Sequence, residues 1–345
     1  MTPTPPIRIA VFGAGRIGHR HARTVASEVL GARLAAICDV NIEAARALAD
    51  LTGCERITSD PADILQDPSV DAILIGTSTD SHAPLIEAAA AAGKDIFCEK
   101  PIALDLETTD RAIAAAERAG VRLQIGFQRR FDKAYARVSN MIANGDLGQI
   151  EVVRDTMRDP NPPHESYIPT SGGLFRDMVI HDFDCVRWLM RSEPVEIFAM
   201  GANLVDPVFA KYGDIDTCVV NIKFASGSLG AIDASRRSGF GYDVRTEIFG
   251  SRSAVMVGDG RETPLIRLDS SGVWSDHIYW FLERFDAAYV EEIRTFVNCI
   301  RQDESVPVTG ADGRAALAMA YAAEASVAEN APVAMSRFAP VGASL

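Results

Sequence analysis

Ile7-Arg8-Ile9-Ala10-Val11-Phe12-Gly13-Ala14-Gly15-Arg16-Ile17-Gly18 sets a short β-branched apolar run directly ahead of three glycines in the spacing G-x-G-x-x-G. A helical pattern through His21, Ala22 and Val25 follows at once. Alone the glycines are a weak signal; strand, glycines and helix in this order are what a dinucleotide site requires. Gly13 makes the tight turn, Gly15 lets a pyrophosphate approach the backbone, and Gly18 lets helix and strand pack closely. The phosphates then meet the free amides and positive end of the helix, with Arg16 and Ile17 beside them at its start. A second apolar run, Leu34-Ala35-Ala36-Ile37-Cys38, ends in Asp39, about 20 residues beyond the glycines, where a ribose-binding acid is expected. Asp39 would accept from both ribose hydroxyls of NAD and repel the added phosphate of NADP, so NAD is the expected cofactor.

Outward from this start, short apolar strands alternate with helices. Val70 to Gly76 reads as a buried strand leading into Thr77, and a helix through Leu85, Ile86, Ala89 and Ala90 stops at Gly93. Asp95-Ile96-Phe97-Cys98 is the next strand, with Glu99-Lys100-Pro101 at its carboxyl end. An Ala-rich helix from Leu106 to Ala119 stops at Gly120, and Val121 to Phe127 supplies another strand. This alternation predicts a parallel, doubly wound sheet, an α/β Rossmann domain over residues 1–128. Ligands of such sheets bind outside the carboxyl ends of the strands, where Gly13, Asp39, Thr77 and Lys100 all fall. His82 either meets the cofactor or simply begins the helix after Thr77.

Residues 129–345 change character and form a second domain. A helix around Lys133 to Asn144 and a strand around Ile150 to Met157 precede a loop enforced by Pro160, Pro162 and Pro163. Later come several strands without intervening helices. In Cys218 to Phe224, Val220, Ile222 and Phe224 share one face while Asn221 and Lys223 share the other. Val244, Thr246 and Ile248 alternate likewise with Arg245 and Glu247. The expectation is an α+β domain with a large open, mainly antiparallel sheet. Two helices close it, the first with Val290, Ile293, Val297 and Ile300 on one stripe, the second from about Asp312 to Glu329.

Composition narrows the partners. A formal charge of −13 argues against nucleic acid or an anionic membrane surface. No apolar run approaches a bilayer-spanning length. Met1-Thr2-Pro3-Thr4-Pro5-Pro6 lacks the basic start and apolar core of a signal peptide, so cytoplasm is expected. The six cysteines form no C-x-x-C pair and fit reduced thiols, and the six histidines form no metal cluster.

The second half also carries chemistry. Gly172-Gly173-Leu174-Phe175-Arg176-Asp177-Met178-Val179-Ile180-His181-Asp182-Phe183-Asp184 puts a carboxylate and an imidazole four apart in a helical pattern ending near Met190, so Asp177 and His181 share a face. A lone His in an apolar helix is usually a satisfied core residue. The Asp177 spacing and the Gly-rich approach favour chemistry instead: an alcohol dehydrogenase needs a base for the hydroxyl proton and a carboxylate to hold base or substrate. Asp182 and Asp184 are expected to cap, pair or stay solvated.

Gly13 to Ala22, Glu99-Lys100-Pro101 and Asp177-x-x-x-His181 together resemble the Gfo/Idh/MocA oxidoreductase family over nearly the whole chain. Gly126-Phe127-Gln128-Arg129-Arg130-Phe131-Asp132, Ser171 to Met178 and Ile180 to Asp184 are similar to its inositol 2-dehydrogenase branch, as are Glu283 to Tyr289 and Gly310 to Leu317. Gln128 stands where that branch often has Asn. The resemblance implies a Rossmann domain plus an open-sheet domain, NAD as hydride acceptor, a cyclic polyol substrate, and a homo-oligomer, dimer or tetramer, formed through the sheet. It makes Lys100 the third catalytic member with Asp177 and His181: its ammonium would polarise the oxygen on the carbon that loses hydride. Glu99 joins the cofactor residues. Arg129, Asp159, His164 and Tyr242 are candidates for polyol hydrogen bonds. The implied activity is NAD-dependent oxidation of myo-inositol or a close isomer to the inosose. Rivals are scyllo-inositol, an aldopyranose or an anhydrosugar as substrate, or a non-catalytic NAD-binding regulator.

Overall fold

A computed structural model describes residues 5–258 and 260–340; Met1 to Thr4, part of the segment read as lacking a signal peptide, lie outside them. The chain divides into two compact units. One is Met1–Phe131 with Ala287–Ala315, and the other is Asp132–Asp286 with Ala316–Leu345.

The first unit holds β1 (Ile7–Phe12), β2 (Ala32–Cys38), β3 (Ile57–Thr58), β4 (Ala72–Ile75), β5 (Asp95–Glu99) and β6 (Leu123–Gly126). They form one sheet in the order β3-β2-β1-β4-β5-β6. Every pairing is parallel. This is the dinucleotide-binding order, and its direction reverses between β1 and β4, the place where such sheets bind ligand. The helix Arg16–Arg23 follows β1, Thr79–Ala91 follows β4, and Leu106–Ala119 follows β5. The last begins at Asp105, whose side chain accepts from the Thr108 amide, and ends at Gly120 in the left-handed region.

The boundary expected after residue 128 needs correction. The helix Asp286–Gln302, grouped on sequence with the C-terminal half, belongs almost entirely to the first unit. Its stripe explains why: Val290, Ile293, Phe296 and Val297 bury against Val11, Ile37, Leu74 and Phe97 of the parallel sheet. Each such fully buried side chain contributes about 1.5–3 kcal/mol.

The second unit is built on β7 (Ile150–Arg158), β8 (Pro194–Ala202), β9 (Thr217–Phe224), β10 (Leu229–Ser235), β11 (Asp243–Gly250) and β12 (Ala254–Val257). A separate hairpin, β13 (Ile266–Asp269) and β14 (Gly272–Ser275), adds to the elements expected from the sequence, and β15 (Val333–Ala334) completes the large sheet. The order is β12-β11-β7-β10-β9-β8-β15. Only β7 and β10 run parallel; the remaining pairs are antiparallel, as expected. Val220, Ile222 and Phe224 are buried while Val219, Asn221 and Lys223 face outward, so the predicted alternation of β9 holds. Among the described residues no helix is long and apolar enough to cross a membrane.

Candidate active site

The glycine turn has the shape its spacing predicts. A Cβ on Gly13, whose φ is +98°, would come within 2.5 Å of the Gly76 carbonyl oxygen, and one on Gly18 within 1.9 Å of the Gly13 oxygen. Neither can be substituted without moving backbone. Gly15 differs: nothing lies within 4 Å of its would-be Cβ, so its backbone faces open space. It also caps the Arg16–Arg23 helix without a side-chain bond, leaving the first amides for an anion. Arg16 is exposed beside it, and Ile17 packs toward Gly76. At the end of β2, Asp39 accepts from the Ala14 amide at 2.6 Å, which brings the expected ribose acid onto the glycine turn. These residues fit a dinucleotide: an open cradle, a helix N-terminus and a carboxylate together.

Around the ends of β4 and β5 the remaining first-unit candidates gather. Thr77 accepts from the Ser81 hydroxyl at 2.6 Å. His82 is buried, with Nδ1 at 2.8 Å from the Pro101 carbonyl and Nε2 at 3.2 Å from that of Thr77. Burial lowers its pKa, against the opposing pull of the two carbonyls. It therefore ties the end of β4 to the chain just after β5. Glu99 is buried, and its Oε1 lies 2.7 Å from His21 Nε2. Lys100 follows, half-buried, joined to Pro101 by a cis peptide. Arg129 is buried, with 1% of its surface exposed.

In the second unit the Asp177/His181 segment is not one regular α-helix. Phe175–Val179 is a π turn that runs into the α-helix Ile180–Met190. Its i→i+5 spacing widens the turn yet keeps positions i and i+4 on one side, and such turns recur at functional sites. Asp177 Oδ2 lies 2.8 Å from the guanidinium of Arg236, and its Oδ1 accepts from the Tyr167 hydroxyl at 2.8 Å. Arg236 also faces Asp159 at 3.6 Å. Burial alone would discourage charge on Arg236, but Asp177 and Asp159 raise its pKa, so it stays cationic. Asp159 thus joins Asp177 through Arg236. His164 instead sits exposed, its Nδ1 2.9 Å from the Ser166 hydroxyl, and Tyr242 is buried against Phe281 and Phe285. Asp182 and Asp184 are both buried, which removes the solvated option.

A model of an oxidoreductase family with an NAD-binding Rossmann fold matches residues 7–127, and the GFO/IDH/MocA C-terminal domain matches 135–256. The chain belongs to the Gfo/Idh/MocA family. It is 43% identical to a myo-inositol 2-dehydrogenase of Thermotoga maritima, over 95% of this chain and 98% of that one. It is 41% identical to an inositol 2-dehydrogenase of Rhizobium meliloti, over 96% and 99%. The crystal structure of a scyllo-inositol dehydrogenase from Lactobacillus casei, with bound NAD(H) and scyllo-inositol, superposes with a TM-score of 0.90 at 30% identity, covering 96% of this chain and 99% of that one.

Membership in the Gfo/Idh/MocA family makes the protein an oxidoreductase with NAD as its cofactor. The glycine turn and Asp39 come together as their spacing in the sequence predicts. Arg236 and Tyr167 were missed, as were His21 and Glu292, which share a buried cluster with Glu99. The Arg236-Arg237 pair just past β10 was the available signal for the first; the others gave none beyond ordinary helix and loop positions.

Proposed function

We propose that this protein oxidises myo-inositol, or a close isomer, at one ring hydroxyl to the inosose, with Lys100, Asp177 and His181 as its catalytic residues. What carries the reading is identity of 43% and 41%, over nearly the whole chain, to two inositol 2-dehydrogenases. Bound NAD supplies the hydride acceptor. Gly13, Gly15, Arg16, Ile17 and Gly18 hold its phosphates, and Asp39 holds its ribose. Thr77, Glu99 and Lys100 border the nicotinamide end, while His82 braces that border.

His181 takes the hydroxyl proton as base. Lys100 stabilises alkoxide character on the same oxygen. Asp177, fixed by Arg236 and Tyr167, presents a set carboxylate to the imidazole or to a neighbouring substrate hydroxyl. A polyol needs many matched partners, since an unpaired buried polar group costs about 1–3 kcal/mol. Asp159, on the same arginine, is the best placed of the further candidates.

We also infer a homo-oligomer formed through the outer face of the seven-stranded sheet, where Leu229, Phe249 and Met256 are exposed. Six free thiols suit the reducing cytoplasm. Initial rates with NAD on myo-inositol, scyllo-inositol, aldopyranoses and anhydrosugars test the substrate. A clear preference for a sugar over both inositols would overturn it, and no turnover on any would favour a regulator.

A further inference from the structure

Beneath the end of β5 lies a buried polar cluster in which the roles above use Glu99 but neither His21 nor Glu292. His21, Glu99 and Glu292 come from the Arg16–Arg23 helix, β5 and the Asp286–Gln302 helix, and all are buried. One ligating atom from each lies within 4.8 Å of the other two. His21 Nε2 is 2.7 Å from Glu99 Oε1; a carboxylate only accepts, so the ring nitrogen is the donor. That spacing is a hydrogen bond, shorter than the roughly 3.3 Å between two ligands of one tetrahedral ion. Phe97 and Tyr289 hold the imidazole edge-on at 5.3 and 5.9 Å. The Glu99 carboxylate packs where a Cβ on Gly126 would come within 3.1 Å. Neither carboxyl oxygen of Glu292 has a hydrogen-bond partner among the described residues.

We propose that His21 and Glu292 are positioning residues for Lys100: they anchor the Glu99 carboxylate beneath β5 and so fix the backbone that turns into Lys100-Pro101. The proposal rests on the role given to Lys100 above.

Glu292 acts here as a neutral acid. A second buried anion without a donor is costly. Burial, reinforced by the charge on Glu99 and opposed by Arg20, pushes its pKa well above the ordinary 4.5. With its proton, Glu292 sets an O–H rather than a second negative charge within 4.8 Å of the Glu99 carboxylate. The polar groups around Glu292 are Arg20, Gln124 and Tyr289. Arg20 bonds Glu28 through both terminal nitrogens. Gln124 donates its amide to the Glu292 carbonyl, and Tyr289, on the same helix, faces His21.

Glu292→Leu and Glu292→Gln in the whole chain test this. Glu292→Leu should lower kcat on the preferred polyol about 10–100-fold, with KM for NAD within about twofold. Glu292→Gln, whose amide N–H replaces the acid O–H, should recover kcat to within about threefold. Wild-type kcat in Glu292→Leu, or a glutamine no better than leucine, overturns the positioning role. Stability against pH reads the proton without any substrate. The folded state binds this proton more tightly than the unfolded one, so its stabilisation is full below about pH 4.5 and fades as pH rises toward the folded value. Glu292→Gln should therefore gain stability relative to wild type between roughly pH 5 and 8. A flat or falling difference, or a stoichiometric divalent cation in the purified protein, overturns the neutral acid. Absence of polyol oxidation by the wild type would sink the proposed function without touching the assignment of the proton.

Discussion

Asp39 accepts from two backbone amides, Ala14 at 2.6 Å and Asn41 at 2.8 Å, so the fold itself orients its carboxylate. A phosphate brought within about 4 Å of that charge would be repelled by about 4 kcal/mol at an effective dielectric of 20, roughly 10³ in affinity. The wild type should therefore favour NAD over NADP by at least about 10² in kcat/KM, and Asp39→Ala should weaken NAD and narrow the gap. Equal efficiency of the wild type with both cofactors would remove Asp39 from this role. At His181 the expectation is kinetic. His181→Ala should cost about 10²–10⁴ in kcat and delete the base-dependent limb of the pH–rate profile. Lys100→Ala should cost about 10²–10³. NAD titration of both variants controls for misfolding, because neither touches the glycine turn. Turnover of His181→Ala near wild type, with an unchanged profile, would leave the mechanism without its proton acceptor.

At the scale of elements, local spacing told a great deal and long-range pairing told almost nothing. The Gly13 to Gly18 turn and the alternation along β9 are written in neighbouring residues, so both are legible in the sequence alone. The π turn at Phe175–Val179 is not, since its distinguishing bonds leave no mark on the apolar pattern. Nor is the partner of Asp177: Arg236 lies beyond β10, far along the chain, and only the fold brings the two within 2.8 Å. The pair makes a strong claim, because removing one member of a buried ion pair strands the other. Arg236→Met should destabilise the protein by about 3–5 kcal/mol, and Arg236→Met with Asp177→Ala by less than the sum of the two single losses. Strict additivity in urea unfolding would show that they do not act as a unit. The kinetics of Asp177→Ala then separate its two roles: a substrate contact raises KM, whereas orienting the imidazole lowers kcat.

Over the whole molecule, the two sheets solve the problem of burial differently. The parallel sheet needs cover on both faces, and the Asp286–Gln302 helix returns from far along the chain to help supply it. Its apolar stripe was plain in the sequence; its destination was not, because a stripe states that a face is buried and not against what. The open sheet covers only one face. On the other, the register sets Leu229 beside Val152 and Val152 beside Phe249, an apolar row across β10, β7 and β11. Leu229 remains 54% and Phe249 46% exposed in the single chain. In a two-fold contact each residue counts twice, so burying this row offers about 1.5–3 kcal/mol per large side chain on both copies. Phe249→Asp with Leu229→Asp places like charges opposite one another in such a contact while disturbing little in the isolated chain. The double variant should keep the wild-type circular dichroism and fall to a smaller species by light scattering. An unchanged mass would mean that the copies meet elsewhere, and that the exposed row serves no self-association.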